Sequence, residues 1–106
     1  MIIDTHCHYN LDPLFESWQP HWQKAQENGV KKSVIVGTDL ESCQRAMDIA
    51  KQDANLFVAI GIHPNECEEN QFDITQLEPF FAQESQQKIV AIGETGLDYF
   101  RLSEII

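Results

Sequence analysis

Ile89-Val90-Ala91-Ile92-Gly93-Glu94-Thr95-Gly96-Leu97-Asp98 is a short apolar run closed by a glycine and then by acids. Three earlier runs have the same form. Leu56–Ile60 ends in Gly61-Ile62-His63-Pro64, residues 33–36 end in Gly37-Thr38-Asp39, and Ile2-Ile3 ends in Asp4-Thr5-His6-Cys7-His8. The last three runs in chain order lack in/out alternation, which is how strands covered on both faces of a parallel sheet read.

Segments of helical character separate the runs. Leu40, Cys43, Ala46, Met47 and Ala50 recur at spacings of three and four, behind Thr38 and Glu41 in capping-box register. In the first connection Asp12-Pro13 is a helix start and Pro20 an interruption. The main helix is therefore expected over residues 20–27, with Asn28-Gly29 as its C-cap. A third helix is expected near Thr75, with Glu78 as cap partner, Pro79 in its first turn, and Leu77, Phe80 and Phe81 towards the sheet. The order β-α-β-α-β-α-β is that of right-handed βαβ units in a parallel α/β fold.

Composition narrows the class. The chain has 106 residues, with 17 acidic against 7 basic side chains and a net charge of −10. Hydrophobic residues at 42% exclude a disordered tail. The acidic balance argues against a broad basic phosphate-binding face, but a metal ion in a cleft can supply positive charge instead. Cys7, Cys43 and Cys67 are odd in number and widely spaced, which indicates neither a disulfide framework nor a thiolate zinc site. The N-terminus lacks the basic region of a signal peptide, and no apolar stretch approaches a membrane span, so a cytoplasmic chain is expected.

In parallel α/β sheets the C-terminal strand ends share one face, where ligands bind. His6, His8, His63 and Glu94 all fall there, whereas His21 sits beside Trp22 in a helix and reads as a surface residue. Residues i and i+2 of an extended chain point to one side, so the imidazoles of His6 and His8 can close on one metal. Glu94, directly after a buried run, must be paired, solvated at the rim, or bound to metal, where it can bridge two cations. His63 reads either as a phosphate-binding or proton-transferring group or as a loop hydrogen-bonding residue. Asp98 reads as a turn residue, Thr38 and Asp39 as helix-cap residues, and Cys7 as packed away from the histidine pair.

Together, Asp4-Thr5-His6-Cys7-His8, Gly61-Ile62-His63-Pro64 and the segment Gly93 to Tyr99 resemble the TatD family of metal-dependent hydrolases. The resemblance implies a TIM-barrel (β/α)8 hydrolase fold, a centre of two divalent cations (Zn, Mg or Mn) and phosphodiester cleavage, with DNA as substrate. By motif, His6 and His8 look like ligands of one metal, Glu94 like the bridging ligand, and His63 like an active-site residue touching substrate. The family also draws two further histidines and an aspartate from later strands. A full barrel takes about 250 residues, so residues 1–106 read as its N-terminal half, with about the first four strands and open edges at the first and fourth.

Two other readings fit the same residues. Asp-x-His-x-His also occurs in amidohydrolase-type barrels acting on small amides or esters. A non-catalytic half-barrel, open or dimerised through its edges, is the third.

Overall fold

The computed structural model describes residues 1–66 and 73–97. Four strands form one sheet in the order β1-β2-β3-β4, every neighbouring pair parallel: β1 Ile2–Cys7, β2 Val30–Val36, β3 Leu56–Ile60 and β4 Ile89–Ile92. Helices α1 (Trp18–Glu27), α2 (Leu40–Ala50) and the single turn α3 (Glu78–Phe81) occupy the connections. This is the alternating, all-parallel arrangement of a (β/α)8 barrel, present over four strands.

The core lies between the sheet and its helices. Ile35, Leu56, Val58 and Ile60 meet Trp18, Trp22, Cys43, Ala46, Met47, Ile49 and Ala50, all buried. Met47 is fully buried, and removing a side chain of that size from water contributes about 1.5–3 kcal/mol. Trp22 keeps its indole N–H satisfied by donating to Asp53 Oδ2 at 2.9 Å.

Several sequence expectations change in detail. The first helix begins at Trp18, two residues ahead of Pro20, because proline in a first turn has no helical hydrogen bond to lose. A 3-10 turn, Leu14–Ser17, follows Asp12-Pro13. Asn28 and Gly29 end α1 as expected, Gly29 at φ +98.

The cap of α2 is Asp39, not Thr38. Asp39 Oδ1 accepts from the Ser42 backbone N–H at 2.7 Å, and the Asp39 N–H donates to Ser42 Oγ at 3.0 Å. Asp73, likewise, caps the turn Ile74–Leu77 in place of Thr75, accepting from the Thr75 N–H at 2.9 Å. Leu77 and Phe80 are buried, but Phe81 is exposed, since a one-turn helix presents too short a face to bury all three.

Double-sided burial holds for β3 and fails for β4. Val90 is 54% and Ile92 60% exposed, because β4 has a sheet neighbour on one side only and its remaining edge is uncovered by any described element. Among the described residues, no helix is long and apolar enough to cross a membrane.

Candidate metal centre

The register of β1 against β2 shifts twice, between Ile2 and Ile3 and again next to the site. Asp4 pairs with Ser33 but Cys7 with Ile35, three residues against two, so Thr5-His6 carries a bulge. The Asp4 carboxylate stabilises that bend by accepting the His6 backbone N–H at 3.1 Å. Bulges re-aim side chains at sheet ends. Here Thr5 and His6 both line a recess of about 310 Å³, floored by Val36, Ala59 and Ala91 and closed by Glu94. Cys7 turns to the helix side and packs against the core, its thiol donating to the Val34 carbonyl at 3.4 Å.

Glu94 reaches this recess although β4 lies three strands from β1. The crossing is made beyond the strand ends. Gly93 N–H donates to the Ile60 carbonyl at 2.9 Å, and the Glu94 N–H then passes over β3 to donate to the Gly37 carbonyl at 3.0 Å. Gly61 lies beneath that crossing: a Cβ there would stand 2.6 Å from the Glu94 carbonyl oxygen and collide with the Gly93 carbonyl as well. Absence of a side chain at Gly61 is what lets the two backbones approach.

The three candidate ligands converge. His6 Nε2 and His8 Nε2 are 3.1 Å apart, Glu94 Oε1 is 3.8 Å from His6 Nε2, and Glu94 Oε2 is 3.9 Å from His8 Nε2. Each carboxylate oxygen faces a different imidazole, and all three ligand atoms lie within 4.8 Å of one another. A tetrahedral site with metal–nitrogen bonds of about 2.0–2.1 Å has edges of about 3.3 Å, so this donor set fits one divalent cation with little closure. His6 is the most exposed of the three, leaving the group open to solvent on one side.

Hydrogen bonds assign the imidazole tautomers. His8 Nδ1 is 3.1 Å from the Val36 carbonyl, which only accepts, so the proton is on Nδ1 and Nε2 is an acceptor, facing His6 Nε2 at 3.1 Å. His63 is the reverse. Its Nδ1 accepts the Asn65 backbone N–H at 3.1 Å, so neutral His63 carries its proton on Nε2 and is a donor. His63 is placed by its own N–H donating to the Thr38 carbonyl at 2.8 Å, and it is not part of the three-ligand group. Its chemistry suits contact with an anion.

Burial, reinforced by Asp4, pushes the Cys7 thiol up to about 12, and burial pushes Cys43 up to about 11. Both thiols are turned into the protein, Cys43 donating to the Gly61 carbonyl at 3.4 Å, and neither belongs to the three-ligand group. Asp98 and Cys67 lie outside the described residues. Two residues to which the sequence assigned no role of their own shape the site: Gly61, seen there only as part of its motif and lying beneath the crossing, and Asn10, whose amide reaches the same Val36 carbonyl as His8.

Comparison with known proteins agrees over nearly the whole chain. The family model described as TatD related DNase matches residues 3–105. The uncharacterized metal-dependent hydrolase YjjV of Escherichia coli strain K12 is 33% identical over 100 residues, covering 93% of this chain and 38% of YjjV. The corresponding figures for the uncharacterized metal-dependent hydrolase YabD of Bacillus subtilis are 33%, 93% and 38%. The crystal structure of YjjV, a TatD homologue, superposes with a TM-score of 0.81. A TatD family hydrolase from Entamoeba histolytica, 26% identical, gives 0.79 over 94% of this chain and 38% of its own. The chain thus spans about two fifths of the length of these relatives.

Proposed function

The chain belongs to the TatD-related DNase family, and on that premise we propose that it carries part of a divalent-metal centre for phosphodiester hydrolysis, with DNA as substrate. The observation that supports this most is the placement of Glu94, with one carboxylate oxygen towards each of two imidazoles delivered from the far side of the sheet.

His6, His8 and Glu94 would hold the cations. His8 would do so through Nε2, the ring nitrogen that the Nδ1–H bond to Val36 leaves as acceptor, and Glu94 through its carboxylate, each oxygen of which faces an imidazole. Divalent cations bound there supply Lewis-acid activation of water and neutralise charge on the phosphate. His63 presents an Nε2–H that donates to a phosphate oxygen. The recess combines the apolar Val36, Ala59 and Ala91 with the hydroxyl-bearing Thr5 and Thr95. With phosphate charge met by cations, the net charge of −10 is compatible with a nucleic acid substrate. Family membership, with a glutamate after β4, supports this reading over the amidohydrolase one.

The test is cleavage of a labelled single-stranded DNA oligonucleotide by the complete polypeptide, with Mn²⁺ and with EDTA, beside hydrolysis of a cyclic amide. Metal-dependent DNA cleavage that Glu94→Gln abolishes is expected. Amide hydrolysis without DNA cleavage would overturn the proposal.

A further inference from the structure

Asn10 is fully buried just past β1, on the loop that follows His8. Its Nδ2 group donates twice, to the Val36 carbonyl at 3.0 Å and to the Ser42 carbonyl at 2.9 Å. The Val36 carbonyl is also the acceptor for His8 Nδ1, at 3.1 Å. Both lone pairs of that oxygen are therefore used, one by the imidazole and one by the amide. Ser42 belongs to the first turn of α2 and is itself fixed in the Asp39 capping box. The Asn10 amide thus ties the end of β2 to a rigid helix start, and the carbonyl it ties down is the one that orients His8.

Stability alone does not account for an asparagine at this position. Its Oδ1 is buried with no hydrogen-bond partner among the described residues, an unfavourable state that an apolar side chain would avoid. Only the donor end is engaged.

We propose that Asn10 is a positioning residue for His8, clamping the Val36 carbonyl so that the imidazole is held as the Nδ1–H tautomer with Nε2 bare and directed at His6 and Glu94. Its consequence for metal binding rests on the reading of His8 as a ligand; its consequence for the imidazole does not. Ligand-orienting groups of this kind change metal affinity by about 10–100-fold.

The experiment measures imidazole ¹⁵N shifts of metal-free protein at alkaline pH, where the rings are neutral, for the native sequence, Asn10→Ala and Asn10→Asp. Zn²⁺ affinity is measured on the same samples by calorimetry. In the native protein His8 is expected as the Nδ1–H tautomer. In both variants it is expected as a mixture of tautomers, with His63 unchanged and Zn²⁺ affinity reduced 10–100-fold. A folded variant in which His8 keeps the native tautomer and Zn²⁺ affinity overturns the proposal, even if its Tm falls. A variant that does not fold leaves a second readout in the native protein: scalar coupling across the hydrogen bond from Asn10 Nδ2 to the Val36 carbonyl carbon. That coupling supports the clamp, and its absence overturns it. If the native protein takes up no Zn²⁺ while the tautomer responds to Asn10 as expected, the metal reading fails and the positioning role stands.

Discussion

Gly61→Ala is a one-methyl perturbation whose consequence can be worked from the backbone. The added Cβ would stand 2.6 Å from the Glu94 carbonyl oxygen, inside any real carbon–oxygen contact, and what blocks it is main chain that has no rotamer to change. Restoring ordinary separation requires the end of β4 to recede by roughly 1 Å. The Glu94 N–H bond to Gly37, now 3.0 Å, does not survive that retreat. Loss of the bond costs about 0.5–1.5 kcal/mol and overpacking about 1–3 kcal/mol, for a combined loss of about 1.5–4.5 kcal/mol. In a unit of this size each kcal/mol moves Tm by roughly 4–8 °C.

The site should suffer in proportion, since Glu94 Oε1 and Oε2 are placed at 3.8 and 3.9 Å from the imidazoles by this crossing. Metal affinity is expected to fall about 10–100-fold. Met47→Ala is the matched control: it empties a fully buried position on α2, away from the recess, at about 2–5 kcal/mol. Calorimetric melting and Mn²⁺ titration of both variants decide the matter. If Gly61→Ala binds Mn²⁺ as tightly as Met47→Ala does, the crossing does not position Glu94 and the reasoning is wrong.

Three further outcomes are expected. Asp39→Ala removes the acceptor for Ser42 N–H at the start of α2 and should cost about 1 kcal/mol, seen as a lower Tm; an unchanged melt would put the cap elsewhere. Cys7 and Cys43 should react slowly with a thiol reagent at neutral pH and rapidly after unfolding, because burial raises both thiols; equal rates would contradict their packing. The same shifts set a pH dependence. Their contribution to stability is fully present below about pH 9, the ordinary thiol range, and is lost as pH rises through about 11 for Cys43 and about 12 for Cys7, where the folded thiols ionise. Denaturant melts at increasing pH should show this decline, and substituting both cysteines with alanine should reduce it.

Much of the architecture was legible because the strands of a parallel sheet are written as short runs of β-branched and other apolar residues. The runs Leu56–Ile60 and Ile89–Ile92 are strands with those bounds, and the three groups at the strand ends that converge, His6, His8 and Glu94, were read from position alone. What escaped depends on partners distant in sequence. The bulge at Thr5-His6 is a property of β1 against β2, invisible in β1 by itself. Thr38 and Asp39 both satisfy a capping pattern, and the helix start at Leu40 makes Asp39 the cap, its Oδ1 taking the Ser42 N–H while the Thr38 hydroxyl meets Ser42 Oγ. Asn10 and Gly61 look like ordinary loop residues until β2 and β4 are laid beside them.

The central claim is that the ends of β1 and β4 jointly hold a divalent cation. X-ray absorption on the Zn²⁺-loaded protein tests it most directly. Two imidazole nitrogens at about 2.0–2.1 Å with carboxylate oxygen at about 2.0–2.2 Å, the oxygen contribution altered by Glu94→Gln, are the expected result. A sulfur shell near 2.3 Å, or an oxygen contribution unchanged by Glu94→Gln, would contradict it.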